Sequence, residues 1–438
     1  MPDPHIAHFQ NDSRPQLEHP ALTEIPVATL GLDLSSKLQR SLRVNSDNLH
    51  ACGVSGAFWE TLLEQHRIPY LLLRVADMRY TLNSKASSMK LYRELGSMIN
   101  DPGLDKWIEE TSSGLLEQQQ KELAAFKYTV MFTPSQRWRP TAGVDSFPYC
   151  RLTAAQVTEL REMWISISPA GDSDIMDKYQ NLHCLETNSL EGTVSFSEAS
   201  AISKLVQVGF YNQAEAIVDE RQLVGAVRDR ADAIMILQDT HQALDDIFQL
   251  AQSEPVVLTP AVLCRLHKIL MRNSRISYTK ASHGRNKLTY LNIGMTRQAS
   301  SVNVTVTQHA QNLKVQFCPY DEVDQELEMF CKRFNELLQN PDAYDPFAAA
   351  AWSSHVFLTI HPFEDGNGRL SRIISSIPLL KARFPPLCIL SLYKQAYINH
   401  LNSVRANRDG DYSGLMAGLY EGTKASVRAL KTIIESES

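Results

Sequence analysis

The chain has 438 residues, of which 43% are hydrophobic, so it is long enough for two or three domains with buried cores. Its 43 basic and 49 acidic residues are mixed along the sequence and give a net charge of -6, so no basic stripe indicates nucleic-acid binding. The sequence has no signal-peptide pattern and no run of about 18 apolar residues, which argues against secretion and a membrane span.

Cysteine usage indicates a reducing environment. The seven cysteines are scattered, odd in number and never spaced as C-x-x-C, which argues against a disulfide framework and a structural zinc site. We therefore expect a soluble, unsecreted protein of the cytoplasm or nucleus that binds neither nucleic acid nor membrane.

The N-terminal part of the chain predicts two segments of different character. Residues 1–45 are rich in Pro, Asp, Ser and His with weak periodicity, which is typical of an extended arm. Residues 46–165 alternate short helical patterns with breakers such as "NDPG", which predicts a mainly helical accessory region. Nothing in either segment indicates a function.

A helical region is predicted over residues 166–253. Apolar residues recur three and four positions apart in "AISKLVQVGF", "AEAIVDERQLVGAVRDRADAIMIL" and "THQALDDIFQL". This spacing is typical of amphipathic helices that belong to one packed bundle.

The region 254–438 contains a change of period. After the helical stretch "TPAVLCRLHKIL", the residues Val302, Val304 and Val306 alternate with polar residues, and "LKVQF" repeats the alternation from Leu313 to Phe317. A polar loop separates the two stretches, so they predict a β-hairpin. A small surface hairpin that only closes a loop is an equally acceptable interpretation.

The stretch "HPFEDGNGR", residues 361–369, is predicted to join two helices. The preceding stretch starts with Asp345 as a plausible N-cap and Pro346 at the first helical position. Pro362 disfavours helical geometry at the residue before it, so the helix should end at His361. "DGNG" then makes a tight turn, and "RLSRIISSIPLL" starts the second helix.

This loop could bind and activate a phosphate compound. Gly366 and Gly368 let backbone N–H groups converge at a helix N-terminus, which is a candidate phosphate nest, and Arg369 and Arg372 could clamp further oxygens. Asp365 can hold Mg²⁺, which binds one or two carboxylates plus substrate phosphates.

His361 could serve the same loop as a base. With an ordinary pKa of about 6.5, it can accept a proton from a hydroxyl at neutral pH. Each feature alone also has an ordinary interpretation: a structural histidine, a turn or calcium-binding fragment, or a solvated arginine face. Their adjacency favours the functional one.

"HPFEDGNGR" also resembles the Fic-domain signature His-x-Phe-x-Asp/Glu-Gly-Asn-Gly-Arg at every fixed position, and "LSR" extends it to a second arginine. The resemblance covers about residues 180–430. It implies an all-α fold, a Fic helical bundle with a small β-hairpin flap, beside the N-terminal helical accessory region. It also implies a protein adenylyltransferase, which transfers AMP from ATP to a Ser, Thr or Tyr hydroxyl of a protein.

The resemblance implies roles for individual residues. His361 would deprotonate the target hydroxyl, Asp365 would hold Mg²⁺, Phe363 would anchor the loop and Asn367 would orient the α-phosphate. The remaining phosphate-binding positions would be Gly366, Gly368, Arg369 and Arg372.

Further positions follow from the same resemblance. Tyr397 and Asn407 would line the nucleotide pocket. The flap residues Val315, Gln316 and Phe317 would align the target segment beside the base.

A second motif, "TNSLEG" at residues 187–192, resembles the inhibitory pattern Ser/Thr-x-x-x-Glu-Gly/Asn of self-inhibited Fic proteins. A carboxylate of Glu191 pointed at Arg372 would form a charge-assisted pair and occupy the space that a γ-phosphate needs. The alternative is an ordinary helix end with Gly192 in the left-handed conformation.

Three functions stay open from the sequence. The leading one is a self-inhibited protein adenylyltransferase with Mg²⁺ as cofactor, ATP as co-substrate and a protein acceptor of unknown identity. The second is removal of AMP from modified proteins, with Glu191 positioning a water. The third is a non-enzymatic nucleotide-sensing module, which the presence of His361 and Asp365 disfavours. Self-modification and homodimer formation are undecided.

Overall fold

The computed structural model describes most of the chain, namely residues 9–45, 47–129, 138–140, 146–168, 173–212, 216, 218–280, 286–308, 313–406 and 411–436. Within these ranges the chain is mostly helical with two small antiparallel hairpins, which confirms the predicted fold class. No helix in the described ranges combines the length and the apolar character needed to cross a bilayer.

The chain forms two compact units. The first comprises Met1–Met131 and Ser274–Val302, and the second comprises Phe132–Asn273 and Asn303–Ser438. The predicted boundaries differ from this division, because residues 274–302 lie inside the predicted catalytic region and yet belong to the first unit.

The first unit is a set of helices completed by one hairpin. Its helices are α1 (Pro20–Thr23), α2 (Val27–Ser41), α3 (Leu49–Gln65), α4 (Pro69–Thr81), α5 (Lys85–Ile99), α6 (Pro102–Thr129) and α12 (Arg297–Ser300). Its strands β1 (Ile276–Lys280) and β2 (Asn286–Tyr290) pair antiparallel. The sequence analysis did not predict this hairpin. Helix α4 is buried over most of its length and packs against α3 and α5.

A buried polar network holds the N-terminal segment in the first unit. Asp77 on α4 accepts hydrogen bonds from Nε and Nη2 of Arg14, both at 2.7 Å, and from the Tyr92 hydroxyl at 2.6 Å. That hydroxyl accepts from Nδ2 of Asn11 at 2.9 Å, and the Phe9 ring packs edge-on against Trp59. The prediction of an extended arm is therefore wrong for the described part of residues 1–45. Single buried side chains fix residues 9–14, and helix α2 packs Leu30 and Leu38 into the core of the unit.

The second unit is built around one central helix. Its helices are α7 (Ala154–Ile167), α8 (Ser173–Glu191), α9 (Ala199–Val208), α10 (Arg230–Gln252), α11 (Pro260–Leu270), α13 (Val323–Gln339), α14 (Pro346–Ile360), α15 (Asn367–Ile374), α16 (Ser376–Lys381), α17 (Lys394–Ala406) and α18 (Ser413–Glu435). Every residue of α14 after Pro346 is buried, and its four consecutive alanines let neighbouring helices approach closely. Helices α13, α15, α16, α17 and α18 surround it.

Both ends of α14 are set by the residues that the sequence indicates. Oδ1 of Asp345 accepts from the backbone N of Phe347 at 2.8 Å, and Pro346 occupies the first helical position. The helix ends at His361, which has φ of 53° and ψ of 60°, and Pro362 follows. The predicted order of helix, glycine-bearing loop and helix is confirmed.

The other hairpin lies in the second unit and is also confirmed. Strands β3 (Thr305–Gln308) and β4 (Leu313–Gln316) pair antiparallel with Val306 opposite Val315. Val315 is buried, whereas Val306 is 39% exposed.

One predicted helix is shorter than expected. Among the described residues of the periodic stretch 214–237, a short 3-10 helix covers Glu220–Gln222, and α10 begins at Arg230. Oδ1 of Asp229 caps α10 by accepting from the backbone N of Asp232. Before that point Leu223 forms an isolated bridge with Phe196, and a side chain at Gly225 would lie 2.6 Å from the Thr193 carbonyl oxygen. Leu223 is therefore buried at a close backbone approach instead of on a helical face, whereas Val224 is 47% exposed.

The Asp77 network predicts a local stability effect. Asp77→Ala leaves the Arg14 guanidinium and the Tyr92 hydroxyl without their buried partner. The free energy of opening that protects the backbone amides of α4 and α5 should therefore fall by about 3–5 kcal/mol. Hydrogen exchange with mass spectrometry measures it. The control Asp33→Ala removes the exposed pair with Lys37 and should cost less than about 1 kcal/mol. Equal losses in the two variants would contradict this account.

Candidate active site

The loop between α14 and α15 is held in shape by its own side chains. Nδ2 of Asn367 donates to the Phe363 carbonyl at 2.8 Å, and Oδ1 of Asn367 accepts from the Phe363 backbone N at 3.0 Å. Phe363 is fully buried, as the sequence analysis expects of an anchor. Asn367 uses one of its two side-chain N–H groups within the loop, so its side chain shapes the predicted phosphate nest. The contact of Asn367 with an α-phosphate stays a prediction.

A buried histidine that the sequence analysis missed supports this loop. The His267 ring on α11 stacks on the Phe363 ring at 3.9 Å, and its Nε2 lies 3.0 Å from the Asp365 carbonyl oxygen. Burial lowers the pKa of His267 to about 3, so the ring is neutral, and Nε2 must carry the hydrogen that it donates to this carbonyl.

Two glycines in the loop leave space that other groups fill. Gly366 has φ of 74°, and a side chain there would lie 2.7 Å from Sδ of Met271. A side chain at Gly368 would lie 2.0 Å from Oε1 of Glu191. The Glu191 carboxylate therefore lies directly against the predicted phosphate nest.

Arg372 on α15 is buried and receives its contacts from α8. Its Nε donates to Oγ1 of Thr187 at 2.7 Å, and its Nη2 donates to the Thr187 carbonyl at 3.0 Å and to Oε1 of Glu191 at 2.6 Å. Gly192 follows with φ of 71°, so the stretch is also a helix end of the ordinary kind. Both interpretations of "TNSLEG" thus describe the same geometry.

The Glu191 carboxyl is ionised at neutral pH. Desolvation raises its pKa, but the charge of Arg372, the hydrogen bond from Arg372 and the charge of Arg369 together outweigh desolvation and lower the pKa below its ordinary value. Its side chain is 37% exposed, so the contact lies at the edge of a solvent-filled space.

Arg369 faces away from the solvent-exposed edge at which Glu191 contacts Arg372. Its Nη1 lies 3.2 Å from Oδ1 of Asn188 and its Nη2 lies 2.9 Å from Sδ of Met271, and the residue is only 2% exposed. The two arginines of the motif therefore occupy different surroundings, although the sequence analysis assigned both to phosphate binding.

A solvent-open cleft with an empty volume of about 670 Å³ lies beside the loop. Six residues predicted for the site line it, namely Glu191, Phe317, His361, Gly368, Arg372 and Tyr397. The remaining lining residues, which the sequence analysis missed, are Leu190, Leu358, Lys394, Ile398, Leu401, Asn402 and Arg405.

The candidate base is held against the flap. The His361 ring stacks on the Phe317 ring with 3.9 Å between centroids and 13° between planes. Across the cleft, the Tyr397 hydroxyl lies 2.9 Å from Oγ of Ser354, and burial raises the pKa of Tyr397, so it is a neutral hydrogen-bonding group.

Other predicted site residues lie outside the cleft lining. Asp365 is exposed on the loop, and its Oδ1 accepts from the Gly366 backbone N at 2.7 Å. Val315 is buried, and Oε1 of Gln316 accepts from the backbone N of Trp138 at 3.3 Å. Asn407 lies outside the described residues.

Helical spacing could have revealed the residues that were missed. Lys394, Tyr397, Leu401 and Arg405 recur three and four positions apart along α17, so one face of this helix turns toward the cleft.

Comparison with known proteins identifies part of the chain. A model of the Fic/DOC family matches residues 257–379. A Fido domain-containing protein of Dictyostelium discoideum is 45% identical over 56 residues, 13% of this chain and 39% of that protein. The protein adenylyltransferase Fic of Nematostella vectensis is 36% identical over 80 residues, 18% of this chain and 19% of that protein. The matched segments thus span less than two fifths of either relative.

Among solved structures, a Fic domain containing signaling protein from Bacteroides thetaiotaomicron is 20% identical, with coverage of 65% of this chain and 98% of that one. Its TM-score is 0.48. The family match rests on residues 257–379 and the complete loop motif. The chain therefore contains a Fic/DOC domain.

The ionised Glu191 carboxylate predicts a pH-dependent stability effect. Because the pKa of Glu191 is lowered in the folded protein, the ionised carboxylate stabilises the fold above about pH 4.3, the ordinary pKa of a Glu side chain. This stabilisation is lost as the pH falls through the lowered pKa. The difference in melting temperature between wild type and Glu191→Gln should therefore decrease in favour of the variant as the pH is lowered from 7 to 3. Differential scanning calorimetry measures this difference.

Glu186 on the same helix is a control of opposite sign. Burial raises the pKa of Glu186, so wild type relative to Glu186→Gln should become more stable as pH falls. The same pH dependence for both variants would contradict the assigned pKa directions.

Proposed function

We propose that this protein is an adenylyltransferase that transfers AMP from ATP to a Ser, Thr or Tyr hydroxyl of a protein. The observation that carries the proposal is the meeting of His361, Gly368 and Arg372 in one open cleft within a Fic/DOC domain. Relatives that match part of this chain are named protein adenylyltransferase Fic.

Phosphate binding is supported by the start of α15. The backbone N–H groups at the N-terminus of this helix and the helix dipole favour an anion, and Gly368 adds no side chain of its own to the approach that Glu191 now covers. Arg372 adds a buried guanidinium that can donate to phosphate oxygens once its carboxylate partner leaves.

His361 is the proposed general base. It accepts the proton of the target hydroxyl, whose oxygen forms a bond to the α-phosphorus while the bond from that phosphorus to the diphosphate oxygen breaks. The AMP-protein and diphosphate are the products. Stacking on Phe317 restricts the imidazole to one orientation, as a base needs to be positioned before the proton moves.

Asp365 fits the requirements of a Mg²⁺ ligand. It is an exposed carboxylate at the loop, and Mg²⁺ typically binds one or two carboxylates plus substrate phosphates. When bound, Mg²⁺ would neutralise charge on the phosphate oxygens. The Gly366 N–H fixes the carboxylate in place through Oδ1.

Self-inhibition follows from the contact between Glu191 and Arg372. The carboxylate occupies the donor that a γ-phosphate needs and lies over Gly368, so productive ATP binding requires its displacement. Thr187 keeps two hydrogen bonds to Arg372 and would retain the guanidinium in place after Glu191 leaves.

The hairpin of β3 and β4 is the proposed docking edge for the target. An edge strand can capture an extended segment through main-chain hydrogen bonds, and Phe317 at the end of β4 already contacts the base. Because Val315 is buried, its contribution would be to hold the hairpin rather than to touch the target. The target's identity, self-modification and homodimer formation stay predictions.

Removal of AMP from modified proteins is the second candidate. One observation favours it: Glu191 is an ionised carboxylate at the cleft, 37% exposed, and could therefore orient a water for attack on a phosphodiester.

Replacing the proposed inhibitory residue separates the two candidates. Glu191→Gly should raise transfer of labelled AMP from ATP to lysate proteins by about tenfold, because a hydrogen bond to a charged group is worth about 1.5–3 kcal/mol and the exposed carboxylate warrants the lower end. Glu191→Gly combined with Arg372→Ala should not be activated. If Glu191→Gly instead leaves transfer unchanged and abolishes release of AMP from a modified protein, removal is the better assignment.

The base has its own test. In the Glu191→Gly background, His361→Ala should lower AMP transfer by roughly 10²- to 10⁴-fold, because a positioned general base contributes about that factor. ATP binding, measured by calorimetry, should persist. Transfer at the rate of the parent variant would show that His361 is not the base.

A further inference from the structure

His267 lies behind the loop of the candidate active site and contacts it at two points. The residue belongs to α11 and is 2% exposed. Its ring stacks on the Phe363 ring with 6° between the planes, and its Nε2 lies 3.0 Å from the Asp365 carbonyl oxygen. A carbonyl oxygen can only accept a hydrogen bond, so Nε2 is the donor. The transfer proposed above gives His267 no role.

The peptide unit between Asp365 and Gly366 is held at both of its ends. Its carbonyl oxygen accepts from His267, and its N–H donates to Oδ1 of Asp365 at 2.7 Å. The second hydrogen bond is made by the same carboxylate that is proposed to bind Mg²⁺. The orientation of this peptide unit and the position of the carboxylate are therefore coupled.

Gly366 allows this peptide unit to take two orientations. Its φ of 74° and ψ of 0° are close to those of the third residue of a type II turn, about +80° and 0°. Reversal of the preceding peptide unit gives the type I arrangement, in which the same residue has φ of about −90° and ψ of about 0°. Glycine adopts both conformations, so backbone sterics do not choose between them.

The hydrogen bond from His267 selects the observed orientation. In the reversed peptide unit, the Asp365 carbonyl would point away from Nε2 and leave a buried donor unpaired, which is unfavourable. The imidazole could not follow the carbonyl, because its stack on Phe363 fixes the plane of the ring. Reversal would also turn the Gly366 N–H away from Oδ1 of Asp365 and release the carboxylate.

Packing alone does not account for a histidine at this position. An apolar or aromatic side chain would suffice to cover the Phe363 ring from α11. The imidazole adds a donor, and this donor binds the one peptide unit whose N–H holds the Asp365 carboxylate.

We propose that His267 is a positioning residue for Mg²⁺ binding. By holding the 365–366 peptide unit in one orientation, it keeps the Asp365 carboxylate where it binds the metal that accompanies the nucleotide phosphates. This assignment rests on the function proposed above, because it takes Asp365 as the Mg²⁺ ligand. His267 acts through Asp365 and touches neither nucleotide nor metal.

Two variants separate the hydrogen bond from the ring stack. His267→Phe keeps a flat ring beside Phe363 and removes the donor, whereas His267→Gln places an amide N–H the same number of bonds from the backbone as Nε2. Both are made in full-length Glu191→Gly protein. Calorimetry then measures the affinity for α,β-methylene-ATP, which cannot transfer AMP, in Mg²⁺ and in EDTA. The ratio of the two affinities is the metal gain.

His267→Phe should lower the metal gain by about tenfold, the lower end of the effect expected for a residue that orients a metal ligand. The affinity in EDTA should stay unchanged, because the phosphate-binding groups remain in place. His267→Gln should retain most of the gain.

A spectroscopic measurement reports on the peptide unit itself. The sequence contains two Asp–Gly pairs, at residues 365–366 and 409–410, so carbonyl-¹³C aspartate and ¹⁵N-glycine labels together give two cross-peaks. Asp409→Asn identifies which peak belongs to the loop. The loop peak should move in His267→Phe and return toward its parent position in His267→Gln.

His183→Phe is the matched control. It removes another buried imidazole of the same unit, whose ring nitrogens have no hydrogen-bond partner among the described residues, and should leave the metal gain and both peaks unchanged. An unchanged metal gain in His267→Phe overturns the proposal. So does an equal loss of affinity in Mg²⁺ and in EDTA, which would leave His267 a packing role alone.

Failures of the underlying function give different results. A metal gain that survives Asp365→Ala would show that the proposed Mg²⁺ ligand is wrong, and the positioning role would fall with it. Absence of AMP transfer to every acceptor, with a metal gain that His267→Phe lowers, would count against the enzyme function and support the positioning role.

Discussion

One buried guanidinium connects the two parts of the candidate active site. Arg372 belongs to the helix that follows the glycine-bearing loop, yet its guanidinium donates three hydrogen bonds to acceptors on α8. Because the interior offers this cation no water, α8 must supply acceptors as long as no anionic ligand does. The position of Glu191 over Gly368 is a consequence of that requirement, and so is the occupation of the proposed γ-phosphate site.

The rest of the loop is rigid before any ligand arrives. Asn367 closes it through both backbone groups of Phe363, and the neutral His267 holds it from beneath by stacking and by a hydrogen bond to the Asp365 carbonyl. If this loop is the proposed phosphate nest, it is already formed and would lose little conformational entropy on binding. The element that must move is therefore the Glu191 side chain, which is partly exposed and can leave without unfolding α8.

Local chemistry made much of this architecture predictable. Asp345, Pro346 and Pro362 set the limits of α14 through interactions within a few residues, and alternating valines identified the hairpin of β3 and β4. The motif around His361 likewise carries its chemistry in consecutive positions. Contacts between distant segments were not accessible: Asn11 and Arg14 join α4 and α5 through side chains 63 to 81 residues apart in the chain. The same limitation hid His267, whose contacts with the loop exist only once α11 packs beside it.

Nucleotide affinity tests the central claim most directly, namely that Glu191 and a γ-phosphate compete for Arg372. Calorimetric titration of wild type and Glu191→Gly with ATP and with AMP compares a ligand that has this phosphate with one that lacks it. The account predicts that Glu191→Gly binds ATP about tenfold more tightly than wild type and binds AMP equally well. Unchanged ATP affinity, or an equal gain for AMP, would contradict it.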